Sequence, residues 1–126
     1  MKNAKGWTSE RLESLAKDIY SWLVEHRMWI DVSIYYDGKR MSTDGKDGDK
    51  MVFRYNGEPF FDEADPRKIF DYVADPHILS MSFEGSLYDL LNYGFGNMED
   101  EFREVFKKHG VYFELGNAWN LTCYEE

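Results

Sequence analysis

Features that would mark a secreted, disulfide-bonded or membrane-spanning protein are scarce in this sequence of 126 residues. Its single cysteine, Cys123, excludes an internal disulfide, which is typical of proteins in a reducing compartment. No apolar run follows the lysines near the start, so the sequence predicts no signal peptide. No segment approaches the roughly 20 consecutive apolar residues of a membrane helix. We therefore expect a cytoplasmic protein that does not enter a membrane.

Motifs for catalysis and for cofactors are missing as well. The glycines of residues 94–96 do not follow a predicted strand, so they are weak evidence for a phosphate-binding loop. A nucleophilic set of Cys123 with a histidine and an aspartate stays open, because such groups meet in space rather than in sequence. Cys123 nevertheless falls on the inward face of the last predicted strand, where a thiol is usually inert. We expect no catalytic residues and no cofactor.

Metal-binding patterns are equally weak. The three histidines lie far apart and form no pair at the i, i+4 spacing of a zinc site: His26, His77 and His109. Residues 44–50 carry three aspartates. Counted from Asp47, however, a calcium loop requires a ligand and a glycine where Met51 and Val52 stand. We interpret this segment as a solvated hairpin loop, because aspartate and glycine are common turn residues, and we expect no metal.

Aromatic and acidic residues are abundant. Four Trp, nine Tyr and nine Phe make the sequence 17% aromatic, and it has only three prolines, so we expect a folded globular domain. The net charge is −9 and the pI is about 4.8. Because nucleic-acid phosphates and anionic membranes repel such a chain, we expect neither to bind it directly.

Hydrophobic periodicity predicts one α+β domain over residues 1–126. Residues 8–27 carry apolar side chains at spacings of three and four, which predicts a helix with Thr8 as its N-cap. Beyond this helix the period changes to two, and turns at residues 37–38 and 56–57 indicate antiparallel strands. The predicted element order is α-β-β-β-α-β-α-α-β-β, which is a mostly antiparallel sheet with helices packed on it.

A helix and a core strand are predicted in the middle of the chain. Asp65 followed by Pro66 predicts the start of the helix, with the aspartate as its cap. Residues 78–84 predict the strand. Within it, the side chains predicted to point inward are Leu79, Met81 and Phe83, and those predicted to point outward are Ser80, Ser82 and Glu84.

Two helices and a hairpin complete the prediction. One helix covers residues 87–93, and Asn97 precedes the other, which ends before Gly110. The hairpin pairs residues 111–115 with residues 118–124, and its turn is placed between these two strands.

The negative charge is concentrated in residues 58–104. This stretch has twelve acidic and three basic residues, a balance of −9 that equals the net charge of the whole chain. About half of these carboxylates precede or begin predicted helices, where they offset the helix dipole and require no partner. A solvated acidic face is therefore one interpretation, and a binding surface is the other. The candidate partner-binding residues are Asp71, Asp75, Glu99, Asp100, Glu104, Tyr88, Tyr93 and Phe95.

The expected function is binding to another protein rather than catalysis. Carboxylates on a rigid surface imitate a nucleic-acid backbone, so we expect an inhibitor that occupies the basic nucleic-acid-binding site of a partner protein. In size, acidity and lack of catalytic motifs the chain is similar to the small inhibitors made by phages and mobile elements, including anti-CRISPR proteins, and to toxin-neutralising immunity proteins. That similarity is one of composition only.

Two alternatives stay open beside this expectation. One is a scaffold or regulatory domain that binds through an aromatic surface, for which salt has little effect on affinity. The other is an enzyme or small-ligand binder whose pocket the sequence does not reveal.

Overall fold

A six-stranded antiparallel sheet forms the centre of the fold. The computed structural model describes residues 6–70, 73–94 and 96–126. Within these ranges the helices are α1 (Ser9–Glu25), α2 (Ser86–Tyr93) and α3 (Met98–Lys107), and Pro66–Lys68 form one 3₁₀ turn. The strands are β1 (Val32–Tyr36), β2 (Lys39–Ser42), β3 (Asp44–Asp47), β4 (Lys50–Phe53), β5 (Phe60–Glu63), β6 (Ser80–Phe83), β7 (Val111–Asn117) and β8 (Asn120–Glu125). The order in the large sheet is β5-β2-β1-β6-β8-β7, and β3 pairs with β4 as a separate hairpin.

The predicted α+β class and the predicted order of helices and strands are confirmed. Helix α1 begins where the side chain of Thr8 accepts a hydrogen bond from the backbone N–H of Arg11 at 3.1 Å, as an N-cap does. The residues that α1 buries recur at helical spacing: Leu12, Leu15, Ala16, Ile19 and Leu23. In the described part of the chain, no helix combines the length and the apolar character needed to cross a membrane.

The sheet face beneath the helices is apolar. Ile34 on β1 pairs with Met81 on β6, and Met81 pairs with Leu121 on β8, so one row of buried side chains crosses the sheet. Helix α3 packs on the same face through Phe106, whose ring lies 4.8 Å from the ring of Phe113 on β7. This contact places α3 beside β7, the last strand of the sheet.

On the opposite face of the sheet, the central strands carry polar side chains that are nevertheless buried. Every residue of β1 is buried, and Ser80, which was predicted to point outward, is fully buried. The prediction for Ser80 is wrong because residues 73–79 cross this face. The backbone N–H of Ala74 donates to the Thr122 hydroxyl at 3.4 Å, and the His77 ring contacts the Ser80 hydroxyl at 2.9 Å. These hydrogen bonds take the place of water.

Residues 44–47, predicted as part of a loop, form strand β3 instead. Gly45 explains the difference. A Cβ atom at this position would lie 2.3 Å from the ring of Phe60 on β5, so only glycine allows β3 to approach β5 this closely. Gly45 is therefore required by the packing of β3 against β5. The turn of the hairpin follows at Gly48, which has a φ of 66°.

Within the described residues, the helix predicted after Asp65 takes the form of a 3₁₀ turn over Pro66–Lys68. Asp65 caps this turn as expected, since its carboxylate accepts a hydrogen bond from the backbone N–H of Arg67 at 3.0 Å. After the turn, Ile69 is exposed whereas Phe70 is buried.

The last hairpin turns later than predicted. Strand β7 runs to Asn117 and β8 begins at Asn120, so Ala118 and Trp119 form the turn. The side chain of Asn117 stabilises this turn by accepting a hydrogen bond from the backbone N–H of Trp119 at 2.9 Å. The ladder is irregular between Leu115 and Asn117, which gives β7 a bulge near its end.

Candidate protein-binding surface

Three of the predicted partner-binding residues share the outer side of α3. Phe102, Val105 and Phe106 bury the inner side of this helix, so its outer side faces away from the core. Asp100 and Glu104 are exposed there, and Glu99 is half-buried. Acidic residues at this end of α3 also offset its dipole, which is one reason why the helix begins here.

A groove of about 570 Å³ lies between the outer side of α3 and β7. The first three residues of β7 form its strand side. Its charged lining consists of Asp100, Arg103, Glu104, Lys107 and Glu126. The structure therefore places two of the predicted carboxylates beside the first residues of β7.

The basic side chains of the groove are paired with carboxylates of α3. The Nε atom of Arg103 lies 3.1 Å from Oε2 of Glu99, and its guanidinium lies 4.4 Å above the Phe113 ring. The Nζ atom of Lys107 lies 3.9 Å from Glu104. Such exposed pairs contribute less than about 1 kcal/mol, so a cation from a partner competes with them easily.

The predicted tyrosines lie on α2 and not in the groove. Tyr88 packs partly against the core, whereas Tyr93 is 71% exposed, and the two ring centroids are 6.5 Å apart. Tyr93 remains a candidate contact residue because of its exposure. Tyr88 has a packing role that accounts for its position.

Asp75 lies away from α3, on the segment that crosses the polar face of the sheet. Its Oδ1 atom is 3.0 Å from Nη2 of Arg67, an exposed ion pair. Asp71 and Phe95 fall outside the described residues. Of the predicted residues that are described, only those of α3 lie close to one another at the groove.

Sequence reasoning missed the strand side of the groove. Tyr112 is 44% exposed, and its ring stacks on that of Tyr124 at a centroid distance of 5.6 Å. Lys107 and Glu126 were not among the predicted residues either. The alternation in the predicted strand marks Tyr112 as outward-facing, but nothing in the sequence tells which strand ends the sheet.

A second groove, of about 580 Å³, lies between α1 and the turn that joins β1 to β2. Both lysines of this groove are paired with one carboxylate, since Glu13 lies 4.0 Å from Lys17 and 3.5 Å from Lys39. Burial, and then the neighbouring Glu13 carboxylate, raise the pKa of Tyr36 beneath it.

Cys123 lies on the inward face of β8, as the sequence predicts, and is fully buried. Burial raises the pKa of its thiol. In the described ranges, no imidazole or carboxylate forms a hydrogen bond with Sγ. The geometry of an activated cysteine is therefore not found at this thiol.

We expect Cys123 not to react with Ellman's reagent in the folded protein. In the folded protein the thiol is inaccessible and protonated, so it should not react. In denaturant the thiol becomes exposed, and one equivalent of thiol per chain should react. Absorbance at neutral pH with and without denaturant measures this. Rapid reaction of the folded protein would contradict the buried placement.

Metal coordination finds no support in the geometry. Across residues 6–70, 73–94 and 96–126, no three His, Cys, Asp or Glu side chains are grouped closely enough to hold an ion. Asp44, the first aspartate of the calcium hypothesis, accepts hydrogen bonds from Ser42 at 2.6 Å and Arg40 at 3.1 Å. Burial by itself would raise the pKa of Asp44, but these hydrogen bonds outweigh it and the pKa is lowered.

Comparison of the chain with protein-family models, with curated proteins and with solved structures finds no match. The class of molecule therefore has to be described from its own geometry. It is an α+β domain with an acidic helix beside the last strand of its sheet.

Proposed function

We propose that this protein is a non-catalytic binding protein whose helix α3 engages a basic, nucleic-acid-binding site of a partner protein and thereby inhibits it. One observation carries the proposal. Asp100 and Glu104 are exposed, one helical turn apart, on the α3 side of a groove that ends at β7. A lysine or arginine of a partner reaches both carboxylates without any rearrangement of the core.

The charge of the whole chain supports the same partner chemistry. A net charge of −9, concentrated in residues 58–104, creates a negative field that attracts a basic surface over a distance of about one Debye length, ~10 Å at 0.1 M salt. Such steering accelerates association and makes it sensitive to salt. Inhibitors of this kind include the anti-CRISPR and immunity proteins to which the chain is similar in composition. The free, buried Cys123 favours the cytoplasm as the place where it acts.

The test is a double charge reversal, Asp100→Lys with Glu104→Lys. The partner is first captured from host lysate at low salt, identified by mass and purified. We expect the double variant to bind it roughly 100-fold more weakly, because each lost charge pair costs on the order of tenfold in affinity. Isothermal titration calorimetry at two salt concentrations measures this affinity. Nucleic acid added to the calorimeter cell should compete with the wild-type protein for the partner.

A matched control changes the same charge elsewhere. Asp47 and Asp49 are exposed on the β3–β4 hairpin, so Asp47→Lys with Asp49→Lys alters the net charge equally but leaves α3 untouched. Its affinity should fall by less than about threefold, through the general field alone. Equal losses in both double variants, or no loss in either, would overturn the proposal, as would failure of nucleic acid to compete.

A second candidate function is binding through an aromatic surface. Met51, Phe53 and Tyr55 follow one another on alternate positions from β4 onward, and each is about half exposed, at 52%, 55% and 48%. An exposed apolar row of this kind is a common docking feature. Affinity that resists salt but is lost in Phe53→Ser, with the α3 variants unaffected, would favour this function over the first.

A further inference from the structure

The backbone groups of β4 divide into two sets according to the side of the strand that they face. The N–H of Arg54 donates to the carbonyl of Thr43 at 2.8 Å, one pair beyond the β3–β4 ladder. Pairs with and without hydrogen bonds alternate in an antiparallel ladder. The N–H and C=O groups of Val52 therefore face β3, whereas those of Met51 and Phe53 point away from it.

This outward edge of β4 is exposed to solvent. Met51 is 52% exposed and Phe53 is 55% exposed. In the part of the chain that the structure describes, β3 is the only strand that pairs with β4. Proteins usually protect a free edge with proline, lysine or a bulge, but β4 contains no proline, and its one lysine, Lys50, is its first residue. Another strand can therefore reach the backbone groups of Met51 and Phe53.

One face of the β3–β4 hairpin packs on the large sheet and the other face is free. Gly45 lies against the ring of Phe60 on β5, and the guanidinium of Arg54 lies 4.1 Å above the same ring. Because side chains alternate along a strand, Met51 and Phe53 occupy the opposite face of the hairpin. Exposed apolar side chains thus lie beside the outward backbone groups.

The charge of the hairpin favours a second copy of this chain as the occupant of the edge. Residues 44–55 contain three acidic and three basic residues, so this segment is neutral although the whole chain carries −9. A neutral segment lets a second copy approach, whereas the acidic outer side of α3 repels one. An antiparallel edge is also complementary to itself, since each outward N–H meets a C=O of the other copy about a twofold axis.

We propose that two copies of this chain associate through β4, whose outward edges pair antiparallel and join the two hairpins into one four-stranded sheet. Met51 and Phe53 of each copy then lie beside those of the other, which removes apolar surface from water. The inference goes beyond the proposed function, because it assigns a second copy to a row that could otherwise bind a partner. The hairpin packs at the β5 end of the sheet and α3 at the β7 end, so the dimer leaves both acidic helices exposed.

Sedimentation equilibrium over a wide range of protein concentration, at low and at high NaCl, tests the association. We expect a reversible monomer–dimer equilibrium whose dissociation constant falls at least about threefold at high salt, because salt screens the repulsion between two chains of charge −9. Partner binding through α3 has the opposite salt dependence. A monomer at every concentration, or a dimer that salt dissociates, would overturn the inference.

Amide hydrogen exchange followed by NMR locates the interface. The outward N–H groups of Met51 and Phe53 should exchange at least about tenfold more slowly in the dimer than in dilute, monomeric samples. The N–H of Val52, which is already bonded to β3, should change by less than about threefold. If exchange at Met51 and Phe53 is the same in monomer and dimer, the interface lies elsewhere and the inference fails.

A proline substitution tests the pairing of the backbones. Because the N–H of Met51 faces away from β3, Met51→Pro removes an edge donor and leaves the β3–β4 hydrogen bonds intact. Met51→Ala is the matched control for loss of the side chain. We expect the dissociation constant of the dimer to rise at least about tenfold in the proline variant and less than about threefold in the alanine variant. Equal changes in the two variants would rule out strand pairing.

A charge substitution tests the apolar contact. Phe53→Lys places like charges of the two copies next to each other, so this variant should stay monomeric. Phe61→Lys is the matched control, because Phe61 is 54% exposed on β5, outside the hairpin, and this variant should dimerise as the wild type does. A Phe53→Lys variant that dimerises like this control would contradict the inference.

Two further outcomes separate the dimer from the proposed function. The variant with Asp100→Lys and Glu104→Lys should still dimerise, whatever happens to its partner binding, because α3 lies at the other end of the sheet. Loss of the dimer in this variant would place the interface at α3 and overturn the inference. If the free protein is monomeric and a captured partner slows exchange at Met51 and Phe53, the partner occupies the edge and the inference is also overturned.

Discussion

Replacing Phe102 by alanine is expected to lower the free energy of unfolding by about 3–5 kcal/mol. Its ring is fully buried and meets Trp22 of α1 at 5.1 Å, Phe106 of α3 at 5.1 Å and Phe113 of β7 at 5.6 Å between centroids. Phe102 thus joins the three elements that place α3 beside β7. Removing it leaves a cavity where these elements meet, and a domain of this size has only about 5–15 kcal/mol of stability in total.

Urea denaturation followed by circular dichroism measures this effect. Phe61→Ala is the matched control, because the same ring is removed at a site that is 54% exposed, and its effect should stay below about 1 kcal/mol. Phe102→Leu provides a milder change if the alanine variant does not fold, with an expected loss of about 1–2 kcal/mol. A loss in Phe102→Ala no larger than that of the control would show that the aromatic cluster does not hold α3 in place.

Lowering the pH from about 6.5 to 4 is expected to destabilise the protein through His77. The residue is fully buried. Burial lowers the pKa of its ring to about 4, helped by the charge of Arg67 and opposed by that of Asp65. Its Nε2 atom contacts the Ser80 hydroxyl at 2.9 Å, and Nδ1 has no hydrogen-bond partner in the described ranges. The fold therefore holds the neutral ring.

The direction of this pH effect on stability follows from proton uptake by His77. In the unfolded chain His77 takes up a proton near pH 6.5, whereas in the folded chain it does so only near pH 4. Between these values the unfolded state binds more protons, so stability falls as the pH falls. The full contribution of this one group is about 3 kcal/mol, reached at pH 4 and below.

Other carboxylates titrate over the same range, so a variant is needed as the reference. His77→Gln has no titrating ring, so between pH 7 and pH 4 it should lose about 3 kcal/mol less unfolding free energy than the wild type, which appears as a smaller slope against pH. Urea denaturation at pH 7, 5.5 and 4 for both proteins gives the two slopes. Because slopes are compared, a constant loss of stability in the variant does not matter. Identical slopes would show that His77 is not held neutral.

The structure reduces the number of carboxylates in residues 58–104 that are candidates for binding a partner. Several carboxylates in residues 58–104 form local interactions: Glu99 pairs with Arg103, and Asp65 caps a 3₁₀ turn. Asp100 and Glu104 remain exposed on the groove beside β7. Binding of a basic partner to these two carboxylates distinguishes this surface from an acidic face that is only solvated.

Several elements were predictable because their information is local. The apolar spacing and the Thr8 cap that define α1 lie within one stretch of sequence, and the alternation that defines the last hairpin lies within another. The buried side of β6 was predictable for the same reason. Ser80 was not, because its burial comes from residues 73–79, which contribute contacts that no periodicity in β6 reveals.

By itself the sequence determined the α+β class, the order of helices and strands, the concentration of negative charge in residues 58–104 and the position of its acids at the start of α3. These properties depend on composition and on spacings of a few residues. Only the tertiary structure decided that β7 ends the sheet, that its first residues share a groove with Asp100 and Glu104, and that the polar face of the central strands is covered. The physical reason is that strand order is set by packing between distant segments, for which a single sequence carries no local signal.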